Sequence, residues 1–291
     1  MRTGNVKENI NALIKLLDDP DINVYDMVSG NLVNLGLRII PELESVWENT
    51  LDTKLQERIE TIIDLIHFRN TKQEFENWVK NNHKDIVEGV FYIAKFQYPD
   101  LTFKEITDKI DEISRDVWIE LNNNLTALEK VRVLNHIIFE VHKFTKNTTN
   151  YYSPQNSYIN QVLETKRGNA ILLAVVYLGV TKKLNIPVHG VNLPKNFILA
   201  YKDIYEDRTY LTEYDRILFY INPFNNGAVL GRKEIDSFLE QIKIKSDSSF
   251  YLPCSNIDIV KRILQNLIYS YEMLGYADKI NKILELIDVL D

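Results

Sequence analysis

Covalent or proton-transfer chemistry in this chain would have to come from a short supply of side chains, since its 291 residues include one cysteine and five histidines. The cysteine, Cys254, stands in Leu252-Pro253-Cys254-Ser255, past the strand-forming stretch. An inert, half-buried thiol is the better reading there than a nucleophile. His136 and His142 share a helix at a spacing that does not align them on one face, and they form no metal-protease pattern. His189 alternates with Val188 and Val191 as a strand residue, so it reads as a structural histidine and not as a base. Tyr151, Tyr152 and Tyr158 can line a cleft, although tyrosine more often buries its ring and wets its hydroxyl. Asn156 and Ser157 read first as caps of the helix that follows; with Tyr152, Gly168 and Asn169 they are also the pocket candidates. Lys166-Arg167 ahead of Gly168 reads as a solvated loop, although a helix starting near Asn169 would favour an anion there. A hydrolase built without the cysteine would use other groups of the same cleft, such as Ser157, His189 and Asp203, and no spacing supports that trio beyond its nearness to the strand-forming stretch. No metal site and no cofactor is read from the sequence.

Charge narrows the partners. Against 41 acidic residues stand 34 basic ones, a formal net charge of -7. The chain therefore lacks the positive field that drives phosphate binding, and no nucleic acid is expected. The longest apolar stretch, Ala170 to Val180, is too short to span a bilayer and runs into Thr181-Lys182-Lys183, so no membrane insertion is expected. Met1-Arg2-Thr3-Gly4-Asn5 leads into a polar-interrupted pattern without the apolar core or cleavage site of a signal peptide. With a single cysteine no intramolecular disulfide can form, and a cytoplasmic location is expected.

The elements that must position these side chains are mostly helices. Ile10, Leu13, Ile14 and Leu17 fall on one helical face, and Asp18-Asp19-Pro20-Asp21 stops that helix and caps the next. The next carries Val24, Val28, Leu32 and Leu35 as a stripe and ends at Gly36, suited to a left-handed cap. Ile39, Ile40, Leu43, Val46 and Trp47 begin another helical unit, partnered by Leu55, Ile59, Ile62, Ile63 and Ile66. Thr102 with Glu105, and Thr126 with Glu129, have capping-box spacing ahead of apolar-periodic runs, and each marks a helix start. From Tyr151 the texture becomes turn-rich. A short helix covers Ile159 to Leu163, Lys166-Arg167-Gly168 breaks it, and an apolar helix runs from Ala170 to Leu184. Strands over 188–193, 197–201 and 217–221 read as a buried antiparallel sheet, with Lys202 to Arg216 as a hairpin excursion and Asn225-Asn226-Gly227 as a tight turn. From Asn256 two helices meet at Leu274-Gly275-Tyr276, resembling one tetratricopeptide unit.

Two further stretches carry resemblances. Leu13-Ile14-Lys15-Leu16-Leu17-Asp18-Asp19-Pro20-Asp21, with Val24, Leu32, Leu35-Gly36 and Ile40-Pro41, resembles little more than one HEAT-like repeat. Several blocks further on are similar, in order, to the bacterial transglutaminase-like family of the core-2 type. They are Tyr151-Tyr152-Ser153-Pro154-Gln155-Asn156-Ser157, Val162-Leu163-Glu164 with Lys166-Arg167-Gly168, Asn185 through Pro194, Phe197-Ile198-Leu199, and Asn222 through Gly227. The resemblance implies a cysteine opening the central helix, where the helix N-terminus holds a thiolate. It also implies a histidine near the start of a strand to take the proton, and an aspartate on the next strand to orient it. Those places fall on Ala170, Asn196 and Asn222. An alanine methyl cannot attack a carbonyl, and an asparagine amide is no base near neutral pH. The resemblance thus implies a vestigial triad, with Asn196 and Asn222 able to hydrogen-bond each other across the old site.

The fold expected is α+β. A helical region over 1–145, HEAT-like at the start, precedes a transglutaminase-like (papain-like) core with a small antiparallel sheet over 146–245 and a C-terminal helical hairpin over 246–291. The function expected is that of a pseudoenzyme, a non-catalytic adaptor for a protein or peptide. Its rivals are a hydrolase or acyltransferase using other residues of the same cleft, and a purely structural subunit. Ala170 is expected at a helix N-terminus facing Asn196 and Asn222 on neighbouring strands, and Gly168 in a turn that needs a positive φ or a close backbone approach.

Overall fold

Two units make up the chain, Met1–Phe75 and Glu76–Asp291. The computed structural model describes residues 10, 12–150, 152–203 and 212–290. Met1 to Asn5, Tyr151 and the 204–211 part of the expected excursion lie outside the described residues.

In the first unit a 3-10 turn, Leu16–Asp18, precedes helix α1, Ile22–Leu35, whose N-cap Asp21 accepts the Asn23 N–H. Gly36 ends α1 with a φ of 68°, a value that a β-carbon would make costly. Helix α2, Ile40–Asn49, carries Pro41 in its first turn, where a missing N–H has no partner to lose. Helix α3, Thr53–Asn81, follows and carries the boundary between the units. The stripes close on one core in which Leu17, Val28, Leu32, Leu43, Ile59 and Ile62 are fully buried. Arg58 ties the turn to α3: its Nη1 donates to the carbonyls of Leu17 and Asp19 at 2.5 and 2.8 Å, and its guanidinium lies 4.5 Å from the Tyr25 ring centre.

The second unit begins with helices α4, Ile86–Gln97, α5, Phe103–Glu120, and α6, Ala127–Asn135. Both capping boxes form. Thr102 and Thr126 accept the N–H groups of Glu105 and Glu129, whose carboxylates accept the threonine N–H groups in return. A π-helical turn, His136–Val141, extends α6. Its histidines take separate partners, His136 on Glu140 at 3.0 Å and His142 on Asp116 at 2.7 Å. Strand β1, Thr145–Lys146, comes next, then helix α7, Ile159–Thr165, strand β2, Arg167–Gly168, and helix α8, Ala170–Lys183.

The β1–β2 pair is parallel, with Thr145 opposite Arg167 and Lys146 opposite Gly168. It corrects two expectations. Lys166 is no solvated loop residue: it closes α7 in the left-handed region at φ 59°, and its ammonium sits 4.6 Å from the Phe144 ring centre. Partial burial, and then the neighbouring Lys109 charge, hold its pKa below the usual lysine value. The positive φ expected at Gly168 is therefore at Lys166. What Gly168 supplies is room, since a β-carbon there would stand 3.1 Å from both methyls of Val162, a side chain and not backbone.

Helix α8 is apolar around its whole circumference, so it must be covered around its whole circumference. Ile171 through Thr181 is buried without a break. Gly179 lets α4 and α5 close on it, for a β-carbon there would meet Val87 at 3.0 Å and Ile110 at 3.4 Å. The sheet of strands β3, Val188–Val191, β4, Ile198–Lys202, β5, Ile217–Asn222, and β6, Ala228–Leu230, is antiparallel in that order and also packs on α8. Ile198, Ala200 and Tyr220 pack with Ile235 and Leu239 of helix α9, Arg232–Gln241. Helices α10, Asn256–Leu274, and α11, Ala277–Ile287, turn at Gly275, whose φ is 76°. The fold is α+β, largely helical around one small antiparallel sheet.

Candidate functional site

The N-terminus of α8 gathers most of the polar side chains singled out in the sequence. Asn169 caps the helix: its Oδ1 accepts the Leu172 N–H at 2.9 Å, and its Nδ2 donates to Ser157 Oγ at 2.9 Å. Asn156 is buried, accepting from Asn147 Nδ2 at 2.8 Å and donating to the Asn150 carbonyl at 2.7 Å. The Asn147 N–H donates in turn to the Gly168 carbonyl at 3.1 Å. Asn156, Ser157, Gly168 and Asn169 thus form one network, and the expectation that Asn156 and Ser157 cap the next helix is corrected. The N-cap of α7 is Tyr158, with no side-chain cap bond. Partners across the loop engage the oxygen and the NH₂ of both the Asn156 and the Asn169 amide.

Ala170 is the first residue of α8. Asn196 stands in the turn before β4, just after Lys195 at φ 58°, and its Oδ1 accepts the Phe197 N–H at 2.8 Å. Asn222 ends β5, one register step beyond the Leu199–Ile221 pair, and its Oδ1 accepts the Phe224 N–H at 3.1 Å. The amide oxygens are therefore engaged by the local backbone and not by each other, which corrects the expected Asn196–Asn222 bond. None of the three side chains can take a proton from a nucleophile at neutral pH.

Neither the cysteine nor the strand histidine supplies a missing nucleophile or base at this end of α8. The Cys254 N–H donates to the Gly190 carbonyl at 2.9 Å. Burial, and then the Asp258 carboxylate, push the Cys254 thiol up to about 12, so it stays protonated at neutral pH. His189 lies opposite Ala200 on the β3–β4 ladder with its side chain exposed. Loss of solvent on the protein side of the ring, and then the Lys202 ammonium, hold its pKa below the ordinary histidine value. Its charged neighbours are Lys202 and Glu213, while the Ser157 hydroxyl accepts from Asn169. Among the described residues no cluster of three or more histidine, cysteine or carboxylate groups is placed to hold a metal ion.

A small cavity of about 200 Å³ opens at this network, lined by Tyr152, Ser157, Asn169 and Tyr269 among others. Through Tyr152, Ser153 and Ser270 it adjoins a larger groove of about 750 Å³, bounded by the end of α4, by Thr149, Asn150 and residues between 152 and 158, and by the α10–α11 turn. Tyrosines dominate the groove. The hydroxyls of Tyr158 and Tyr271 are 2.8 Å apart, and that of Tyr271 donates to Gln97 Oε1 at 3.2 Å. Burial, and then the facing Tyr271 hydroxyl, raise the Tyr158 pKa well above the usual phenol value, and burial raises those of Tyr98 and Tyr271. All three remain neutral. Among the described lining residues neither space holds a carboxylate or an imidazole, and Lys279 is the one ionised group. The site can stack and hydrogen-bond, but it offers no acid or base that turns over near neutrality.

Tyr98, Gln97, Tyr271 and Tyr276 are absent from the sequence-derived candidates. The bonds that join Tyr158 to Tyr271 and Tyr271 to Gln97 span 113 and 174 positions, and no local spacing signals such a meeting.

Comparison with known proteins agrees with this architecture. A profile of the transglutaminase-like superfamily matches residues 104–265. The chain is 28% identical over 188 residues to a UPF0162 protein of Xylella fastidiosa (strain 9a5c), covering 62% of this chain and 63% of that protein. It is 26% identical over 234 residues to F-box only protein 21 of Homo sapiens, covering 72% of this chain and 36% of the human protein. The UPF0162 protein YchA of Escherichia coli (strain K12) is 23% identical over 189 residues, covering 64% of this chain and 66% of that protein. The chain thus spans only part of the length of these curated relatives, and no solved structure matches it. Because the superfamily match takes in more than half of the chain, from the start of α5 to the middle of α10, the chain belongs to the transglutaminase-like superfamily.

Proposed function

We propose that this chain is a non-catalytic, core-2 type member of its superfamily, a pseudoenzyme that serves as an adaptor by holding a protein or peptide in the cleft at the N-terminus of α8. The observation that carries the proposal is the composition of that end of the fold. Alanine opens the helix, the residues at the base and acid positions are asparagines whose oxygens cap the backbone, and the adjoining groove is open and aromatic. A cleft that keeps its shape without its nucleophile retains the capacity to bind and loses the route to an acyl intermediate. In this reading the domain order is the helical 1–145, the core 146–245 and a tetratricopeptide-like hairpin over 246–291, with HEAT-like helices at the start as a second docking surface and the cytoplasm as the compartment.

The test has two arms. Purified protein incubated with glutamine-containing peptides and a primary amine is expected to release ammonia no faster than buffer alone. Turnover abolished by Cys254→Ser or by Ser157→Ala would overturn the non-catalytic half. A displayed peptide library panned on the wild type is expected to yield sequences that are not recovered on Tyr152→Ala, and failure to enrich any peptide would leave a structural subunit in place of an adaptor.

A further inference from the structure

We propose that Asn226, in the turn between β5 and β6, is a conformation-gated modification site. It cyclises on the Gly227 nitrogen, and passes to aspartate and isoaspartate, only when the hold of Asn135 on Gly227 opens. The sequence contains one Asn-Gly pair, and the fold selects both members of it. Asn226 lies in the left-handed region at φ 50° and ψ 38°, which asparagine tolerates better than most residues. Gly227 follows at φ 73°, and a β-carbon on it would overlap the side-chain amide of Asn135, so only glycine fits. A residue with no side chain is also the one that least hinders attack by its own nitrogen on the side chain before it. Packing thus puts a chemically labile pair where the Asn226 side chain is exposed to water.

The same contacts withhold the reaction. The Gly227 nitrogen must lose its proton and attack Asn226 Cγ; a new N–C bond closes a five-membered imide as the Cγ–Nδ2 bond breaks, and the amide nitrogen leaves with the proton as ammonia. Water then adds to one of the two imide carbonyls, giving aspartate, or isoaspartate where the main chain now runs through Cγ. In the native turn the Gly227 N–H donates to the Asn222 carbonyl at 2.9 Å, which keeps its proton in place. The Gly227 carbonyl accepts from Asn135 Nδ2 at 2.8 Å, and Asn135 is fixed in turn by the Tyr177 hydroxyl, which donates to its Oδ1 at 3.2 Å. At a ψ of 38° the Gly227 nitrogen lies across the Cα–C bond from the Asn226 β-carbon, so Cγ stays out of bonding reach of it. Cyclisation needs that bond to turn, and the peptide groups on both sides of Gly227 are tied. The gate works one way, because isoaspartate adds a carbon to the main chain of a turn that these hydrogen bonds close.

Conversion at residue 226 is followed by peptide mapping and by isoaspartyl methyltransferase labelling, in the native full chain and in the same chain held in urea, both in one mildly alkaline buffer. Asn226 is expected to convert in urea and to convert at least about tenfold more slowly in the native protein, where local opening sets the rate. Asn135→Ala removes the donor to Gly227 and is expected to speed conversion of the folded protein about fivefold, the scale of one lost hydrogen bond. Asn135→Asp is expected to do the same, since a carboxylate keeps an acceptor for Tyr177 and has no amide to donate. Thermal melts identify which variants are folded at the incubation temperature. Equal rates in native and unfolded wild type, no conversion at 226 in urea, or a folded Asn135 variant that converts no faster than wild type would overturn the proposal.

Discussion

At neutral pH a thiol with a pKa of about 12 is almost entirely protonated, and a protonated thiol neither attacks a carbonyl nor exchanges with a disulfide. Cys254 owes this first to its burial and second to Asp258, four positions on, which closes the capping box of α10 with Ser255. An aromatic disulfide reagent added to native protein at neutral pH should therefore liberate almost no chromophore on the scale of minutes. The same protein in denaturant should release one equivalent per chain, consistent with its one cysteine. Rapid labelling of the native form would contradict the burial described for this site and reopen Cys254 as a reactive group. Around α8 the residue chemistry runs in the same direction: Asn169 donates to Ser157, Asn156 bonds Asn147 and the Asn150 carbonyl, and none of the three can act as a base.

Between α7 and α8 the chain turns back in a few residues, and Gly168 makes that possible by leaving space against Val162. Substitution by valine should cost roughly 1–3 kcal/mol, the range for forcing added methyl groups into a packed site. The cost should shrink when Gly168→Val is combined with Val162→Ala, because the obstruction at 3.1 Å is the Val162 side chain. Denaturant melts of the two single variants and the double variant measure this, and an unaltered midpoint in Gly168→Val would show that the glycine is incidental. How far such elements can be read from the sequence depends on length and range. Thr102/Glu105 and Thr126/Glu129 are legible because a capping box is a local pattern, and α1 to α3 are legible from stripes that converge on one core. The β1–β2 ladder is two residues long and β6 three, too short for any alternation to register. Asn156 and Ser157 have the local spacing of caps, but Asn147 and Asn169 compete for the same groups and win through the tertiary fold. The position of Ala170 at the start of α8 follows from the glycine-to-helix pattern. The tyrosine groove does not, because its walls come from elements far apart in the chain.

For the molecule as a whole, acid is the condition to which these arrangements respond. Glu105 and Glu129 have pKa values held below the ordinary carboxylate range by hydrogen bonds with Thr102 and Thr126; Asp215 and Asp247 are lowered by their Thr212 and Ser249 partners, and Glu213 by Lys202. A carboxyl group whose folded pKa lies below its unfolded value contributes stability that is complete above the unfolded value. That contribution is lost as pH falls through the folded one. The carboxylates' contribution should accordingly stay complete down to about pH 4.5, the unfolded value for glutamate, and then decline, while His189, whose folded pKa is lowered, withdraws a share of its own once pH falls below the ordinary histidine value. In a Glu105→Gln, Glu129→Gln double variant the decline should be shallower, and equal slopes in a pH series of thermal melts would show that the caps contribute nothing to it. The short parallel ladder has a consequence at this scale too. By joining Thr145–Lys146 to Arg167–Gly168 it ties off residues 147–166, the stretch that supplies one wall of the groove, much as ring closure does in a cyclic peptide. The configurational freedom of that wall is surrendered once, during folding, and is not lost a second time when a ligand arrives. A peptide held there, as proposed, would meet one wall of the groove already ordered.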